Sequence, residues 1–330
     1  MKKWIADVIN NPKRVAIPIL THPGIEMIGK TVLDAVINGK IHAETIKALS
    51  EKFPSAASTV IMDLTVEAEA FGCAINFYDN EVPTVSHRLV SSYDEVAQLP
   101  VPPLTAGRVP QYLLANQLTA ANITDKPVLG GCIGPYSLAG RLFDMTEIMV
   151  AIYTEPDTII LLLEKCTQFL IEYTRALKAT GINGLIIAEP AAGLLSDDDC
   201  RVYSSYYVKQ IIDTIQDDCF SVILHNCGNK GQCTPAMVYT GAAGLHFGNA
   251  MNMLEALNSC PPETLVLGNI DPVSIFKMST PEQVKQATKN LLEQTAGYRN
   301  FVLSSGCDVP PHTPLENVEA FYDALRQATT

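Results

Sequence analysis

The sequence predicts an α/β protein of the (β/α)8 barrel class, and three observations carry that reading. From residue 127 onward, short runs of β-forming apolar residues alternate with segments of helical period, the pattern of βαβ units around a parallel sheet. Two earlier runs bring the strands to about eight, the number that closes such a barrel. The 330 residues, 47% of them hydrophobic, can bury one large core, and no internal repeat or low-complexity linker divides them. A doubly wound open sheet is the alternative, but no glycine-rich dinucleotide fingerprint follows the first strand. The chain is read as a single domain over residues 1–330, a TIM barrel with an N-terminal extension and a β-hairpin insertion.

The opening residues, MKKWIADVINNPKR, are amphipathic, and residues 14–20 (RVAIPIL) form the first predicted strand, running into the loop THPGIEMIGK with His22 and Gly24. A helix rich in Ala, Ile and Lys is expected at 42–52, then a second strand at 59–64 (TVIMDL). Residues 72–90 hold two alternating stretches, CAINFY and PTVSHRLV, split by Asp79 and Asn80, which predicts a hairpin laid over the end of the barrel. The proline-rich segment 99–110 reads as a connecting loop, because proline removes a ladder donor. Six further strands follow, PVLGGCIG, INGLIIAE, FSVILHNC, AGLHFG, TLVLGNI and RNFVLSS, with helices expected at 157–180 and 281–295.

A net charge of -12 with no Lys/Arg cluster argues against nucleic acid as a partner, since phosphate binding needs a basic face. No apolar run approaches the roughly 20 residues that span a bilayer, and the amino terminus lacks a signal-peptide core, so no membrane role and a cytoplasmic location are expected. Nine cysteines, an odd number without framework spacing, suit buried, metal-bound or catalytic thiols better than disulfides.

In a barrel of this kind the active site gathers at the carboxyl ends of the strands. The run at 220–228, FSVILHNCG, ends abruptly in His225, Asn226, Cys227 and a glycine. Side chains two apart on an extended strand point the same way, so His225 and Cys227 can grip one metal ion. A core thiol beside a satisfied histidine fits the same spacing. Cys307, in the tight loop SSGCDVPPHTP after another strand, is the best further ligand, with Cys233 a competitor expected to begin the next helix. Glu189 closes the buried run INGLIIAEP, where a carboxylate serves as a helix cap, a fourth metal ligand or a proton acceptor. His246 lies within a strand and is expected to be oriented by core hydrogen bonds, and Asp271 before a proline reads as an N-cap. Asp63 and Glu67 either line the pocket or serve as turn and helix-start residues. His312 either shapes the pocket or stands solvated.

The segments RVAIPILTHPG, DLTVEAEAFGCAINF, GGCIGPYSLAG, LIIAEPAAGLLS, LHNCGN, LGNIDP and SSGCDVPPHTPLENV, in that order, resemble the uroporphyrinogen decarboxylase superfamily, and most of all its methylcobamide:coenzyme M methyltransferase branch. The resemblance spans nearly the whole chain. Its most specific part is the zinc motif His-x-Cys with a distant Cys, carried here by His225, Cys227 and Cys307. It implies a TIM barrel whose Zn2+ activates a small thiol, usually coenzyme M, to take a methyl group from a methyl-corrinoid. A corrinoid carrier protein is the implied partner, and a broad funnel with zinc at its floor the implied shape. Glu189, where the branch commonly has Asp, is implied either to complete the zinc shell or to accept the thiol proton. Members that decarboxylate porphyrinogens need no metal and carry an arginine-rich amino-terminal motif, whereas THPGIEMIGK has no arginine. A decarboxylase-like enzyme, a zinc-binding protein without catalysis and a methyltransferase with another acceptor, such as homocysteine, are the alternative readings.

Overall fold

The computed structural model describes residues 1–328. A seven-stranded parallel sheet forms its centre. The strands in chain order are β1 (Ser58–Thr59), β2 (Ile75–Asn76), β3 (Thr84–Val85), β4 (Val128–Ile133), β5 (Gly184–Ala188), β6 (Ser221–Asn226), β7 (Gly244–Phe247), β8 (Leu265–Ile270) and β9 (Phe301–Ser305). Within the sheet the order is β1-β4-β5-β6-β7-β8-β9, while β2 and β3 pair with each other antiparallel. Helices separate the sheet strands, so the fold is TIM-barrel-like.

All six runs predicted after residue 127 are strands. The two earlier runs are less regular, for local reasons. In residues 14–20, Pro18 has no N–H to give a ladder. The segment keeps one bridge, Ala16 to Leu303, with Ile17 N–H donating to the Leu303 carbonyl at 2.9 Å. On its other side Ala56 N–H donates to the Ala16 carbonyl at 2.9 Å, which ties the segment to the chain entering β1. The 59–64 run stops being ladder-like when Ile61 N–H turns to the buried His42 Nε2 at 3.0 Å.

The helices begin where caps start them. Asn38 accepts from Lys40 N–H at 3.0 Å, so the helix expected at 42–52 runs Gly39–Lys52. The two other expected helices are Pro156–Ala179 and Pro281–Gln294. Each has proline in its first turn, and Thr280 and Gln283 form a capping box on the second. The hairpin tip is anchored: Val32 N–H donates to the Asp79 carbonyl at 2.8 Å.

Two apolar cores follow from the period of two along each strand. One lies between sheet and helices. The other fills the inside of the curved sheet with Ile17, Ile19, Leu129, Ile186, Ile223, Leu267 and Val302, and the amphipathic helix Lys2–Asn10 packs Trp4, Ile5, Val8 and Ile9 against it. Residues two positions further along β5, β6 and β9 are Ala188, His225 and Ser304, and His246 of β7 is the register partner of His225. The aliphatic layer therefore gives way to a polar one toward the carboxyl ends of the strands.

Candidate metal centre

β6 ends at Asn226, whose side-chain oxygen accepts from the backbone N–H groups of Gly228 at 3.1 Å and Asn229 at 3.0 Å. This Asx turn curls the chain immediately after Cys227. Cys307 stands in the loop after β9, where Gly306 N–H donates to the Ile270 carbonyl at 2.6 Å. The fold thereby brings together the ligand atoms of His225, Cys227 and Cys307, all within 4.8 Å of one another. His225 Nε2 lies 3.5 Å from Cys307 Sγ. His225 is buried and both cysteines are half-buried.

Two close backbone approaches hold this geometry. A Cβ on Gly248, in the loop after β7, would stand 2.4 Å from the Cys227 carbonyl oxygen and 2.7 Å from its Cα. One on Gly306 would stand 2.6 Å from Asn249 N. Only glycine lets main chain rest on main chain there. The two thiols interact. The hydrogen bond with Cys307 holds the Cys227 thiol below its usual value against the opposing effect of burial, and the same bond, then burial, pushes Cys307 up.

Behind His225 runs a chain of contacts. His225 Nδ1 lies 2.8 Å from His246 Nδ1, with the rings nearly perpendicular at 77°. His246 Nε2 lies 2.8 Å from Ser304 Oγ, which donates to the Ile17 carbonyl at 2.7 Å. Burial first, and His225 second, hold the His246 pKa well below the usual imidazole value.

Glu189 is buried at the end of β5 and caps a helix. Its Oε1 accepts from Tyr136 N–H at 2.8 Å, and its Oε2 from the Ser137 hydroxyl at 3.1 Å and Ser137 N–H at 3.2 Å, at the start of the helix Pro135–Phe143. Gly134 makes room, since a Cβ there would meet Glu189 Cγ at 2.2 Å. Burial raises the Glu189 pKa to about 7 against the pull of these donors. Of the three roles open in the sequence, capping is the one its hydrogen bonds display, and its oxygens do not join the cluster of His225, Cys227 and Cys307.

The other candidates separate. Cys233 is the N-cap residue of the helix Thr234–Tyr239, and its thiol donates to the carbonyls of Ala192 and Leu195. Asp271 accepts from Val273 and Ser274 N–H as an N-cap. His312 is exposed and pairs with Glu26 at 2.7 Å. Asp63 pairs with buried Arg108, which also reaches Glu69 at 2.6 Å and the Thr65 hydroxyl at 2.7 Å. Glu67 Oε1 accepts from Ile133 N–H at 3.1 Å, while its buried Oε2 has no partner among the described residues.

Sequence reasoning did not single out Arg108, Ser304 or the pair His22 and Asp308. His22 Nδ1 lies 3.1 Å from Asp308 Oδ2, and Thr21 donates to both Asp308 oxygens, which binds the Cys307 loop to the loop after the first segment. Burial opposes the charge on His22, but Asp308 more than offsets it and the pKa is raised. The part played by His246 did carry a signal. β6 and β7 approach their ends as Leu-His-Asn and Leu-His-Phe, and in-register parallel strands set two such histidines side by side.

Comparison with known proteins identifies the family and the fold. The family model described as uroporphyrinogen decarboxylase (URO-D) matches residues 12–328. A methylcobamide:CoM methyltransferase, MtbA, of Methanosarcina acetivorans is 29% identical over 283 residues, covering 82% of this chain and 79% of its own. A uroporphyrinogen decarboxylase of Alkalilimnicola ehrlichii is 25% identical over 292 residues, 84% of this chain and 77% of its own. A solved methyltransferase from Methanosarcina mazei superposes with a TM-score of 0.88 over 99% of this chain and 98% of its own, at 24% identity, which establishes the shared fold. The chain belongs to the uroporphyrinogen decarboxylase family, and within it is similar to the methylcobamide:CoM methyltransferases.

Proposed function

We propose that this protein is a zinc-dependent methyltransferase that moves a methyl group from a methyl-corrinoid, delivered by a corrinoid carrier protein, to a small thiol such as coenzyme M. The observation that carries the reading is the approach of His225, Cys227 and Cys307 to within 4.8 Å. Two sulfur donors and one imidazole suit Zn2+, and three protein donors leave a tetrahedral ion one open position. A bound Zn2+ would supply a charge that keeps an incoming thiol ionised near neutral pH.

The chain's own residues do the rest. Cys227 and Cys307, with His225, would hold the ion between β6 and β9, and the glycine contacts at Gly248 and Gly306 keep that gap at one width. The thiolate sulfur attacks the methyl carbon in line. The C–S bond forms as the C–Co bond breaks, and its electron pair stays on cobalt. Glu189, with its pKa near 7, is our candidate for the carboxyl that takes up the thiol proton. Its zinc-ligand role has no support in the placement of its oxygens.

The whole chain is read as one domain, a closed (β/α)8 barrel with an N-terminal extension and the β2–β3 hairpin as an insertion. Bonding of residues 15–17 to both sheet edges supports closure. No helix among the described residues is long and apolar enough to cross a membrane. Nine cysteines, an odd number without framework spacing, suit a reducing compartment such as the cytoplasm.

Zinc content and methylcobalamin demethylation with a panel of thiols test the function. One zinc per chain and a thiol-dependent change in the cobalt spectrum are expected, both lost in Cys227→Ser and Cys307→Ser. Full activity after chelation, or decarboxylation of a porphyrinogen without metal, overturns the reading.

A further inference from the structure

The contacts behind His225 have a direction that can be read from their far end. The Ile17 carbonyl can only accept, and among the described residues its side-chain donor is the Ser304 hydroxyl at 2.7 Å. That spends the single proton of Ser304. At 2.8 Å from His246 Nε2, Ser304 Oγ is therefore the acceptor, and His246 carries its proton on Nε2. A neutral imidazole protonated there offers Nδ1 as a lone pair, so His225 Nδ1, 2.8 Å away, is the donor. The lone pair of His225 falls on Nε2, the atom 3.5 Å from Cys307 Sγ. Reversing every bond would strip the buried Ile17 carbonyl of that donor, the costly way to leave a buried acceptor, and would aim an N–H at the sulfurs instead.

We propose that His246 and Ser304 are positioning residues that lock His225 in the tautomer with a free Nε2, so that the imidazole facing Cys227 and Cys307 is a ready ligand for a divalent cation of the zinc class. The consequence for affinity rests on the metal-centre reading above, whereas the tautomer does not. The lock works because it is dry. Relative exposures of 2% for His225, 1% for His246 and 0% for Ser304 leave no water to replace a missing partner. It also reaches across the interior. His246 on β7 finds its acceptor on β9, two strands away, and the last link lies in the segment beyond β9. Removing Ser304 leaves His246 free to adopt either tautomer, and His225 loses its orientation without losing its place on β6.

Two-bond proton–nitrogen NMR spectra of the full chain, labelled with 15N in its six histidines, read the tautomers directly, with His246→Gln identifying the signals. His246 protonated on Nε2 and His225 on Nδ1 are expected. Competition with a chromophoric chelator gives the affinity for Zn2+ alone. Ser304→Ala should bind it about 10- to 100-fold more weakly, and Ser304→Thr, which keeps the hydroxyl, should restore most of that loss. A His225 ring protonated on Nε2, or unchanged affinity in Ser304→Ala, overturns the proposal. If Ser304→Ala does not fold, the wild-type spectrum decides. Wild-type protein that binds no zinc sinks the metal reading instead, and the ring spectra still decide the tautomer.

Discussion

A single methyl group placed at Gly248 should weaken the metal centre without touching a ligand. The Gly248 carbonyl accepts from Asn269 Nδ2 at 2.9 Å and from Met251 N–H at 3.0 Å, so the glycine is anchored on its own side. The new Cβ of Gly248→Ala would lie 2.4 Å from the Cys227 carbonyl oxygen, where ordinary contact begins at 3.4 Å. The two loops must then part by about 1 Å, the difference between those distances, whereas ligand distances in a metal site tolerate about 0.2 Å. Zinc affinity should fall by about 10- to 100-fold, or about 1.4 to 2.8 kcal/mol. Competition with a chromophoric chelator measures it. Gly297→Ala serves as the control, because a Cβ there meets nothing within 4 Å. Gly248→Ala binding zinc as tightly as the control would refute the claim that backbone contact fixes the position of Cys227.

Three other outcomes are expected. Burial raises the Glu67 pKa from 4.5 to about 7, so between those values the native state keeps a proton that the unfolded chain has released, and stability falls as pH rises through the window by about 3 kcal/mol. Glu67→Gln should remove that part of the slope in urea titrations at pH 5 and pH 8, while Glu189, shifted in the same direction, keeps the remainder. Arg108→Met leaves Asp63 buried without its guanidinium and should cost about 3–5 kcal/mol in chemical unfolding, and a loss under about 1 kcal/mol would contradict the pairing. Zinc at 100 times its dissociation constant should stabilise the wild-type protein by about 2.7 kcal/mol, with no such gain in Cys307→Ser or after chelation.

The strands after residue 127 were legible because a buried parallel strand is a continuous apolar run that nothing local interrupts. The earlier two were legible as apolar runs but not as ladders, since Pro18 and the His42 contact act on individual N–H groups. His225, Cys227 and Cys307 could be brought together on paper because each stands at or just beyond a strand's carboxyl end. Glu189 could not be settled that way, because its capping partners, Tyr136 and Ser137, come from another βα turn. Arg108 lay in a stretch read only as a loop, 45 residues from Asp63 and 39 from Glu69, and no spacing rule reaches that far.

The helix Lys2–Asn10, seated on the inner aliphatic cluster and tied by Met1 and Lys2 to the Asp218 carbonyl, works as a stopper at the amino ends of the strands. Under the function proposed above, the small thiol must enter from the carboxyl ends before a large corrinoid protein covers them, and the small product leaves only after that protein has withdrawn. Steady-state kinetics should show that compulsory order, and removing residues 1–10 is the change that would open a second route.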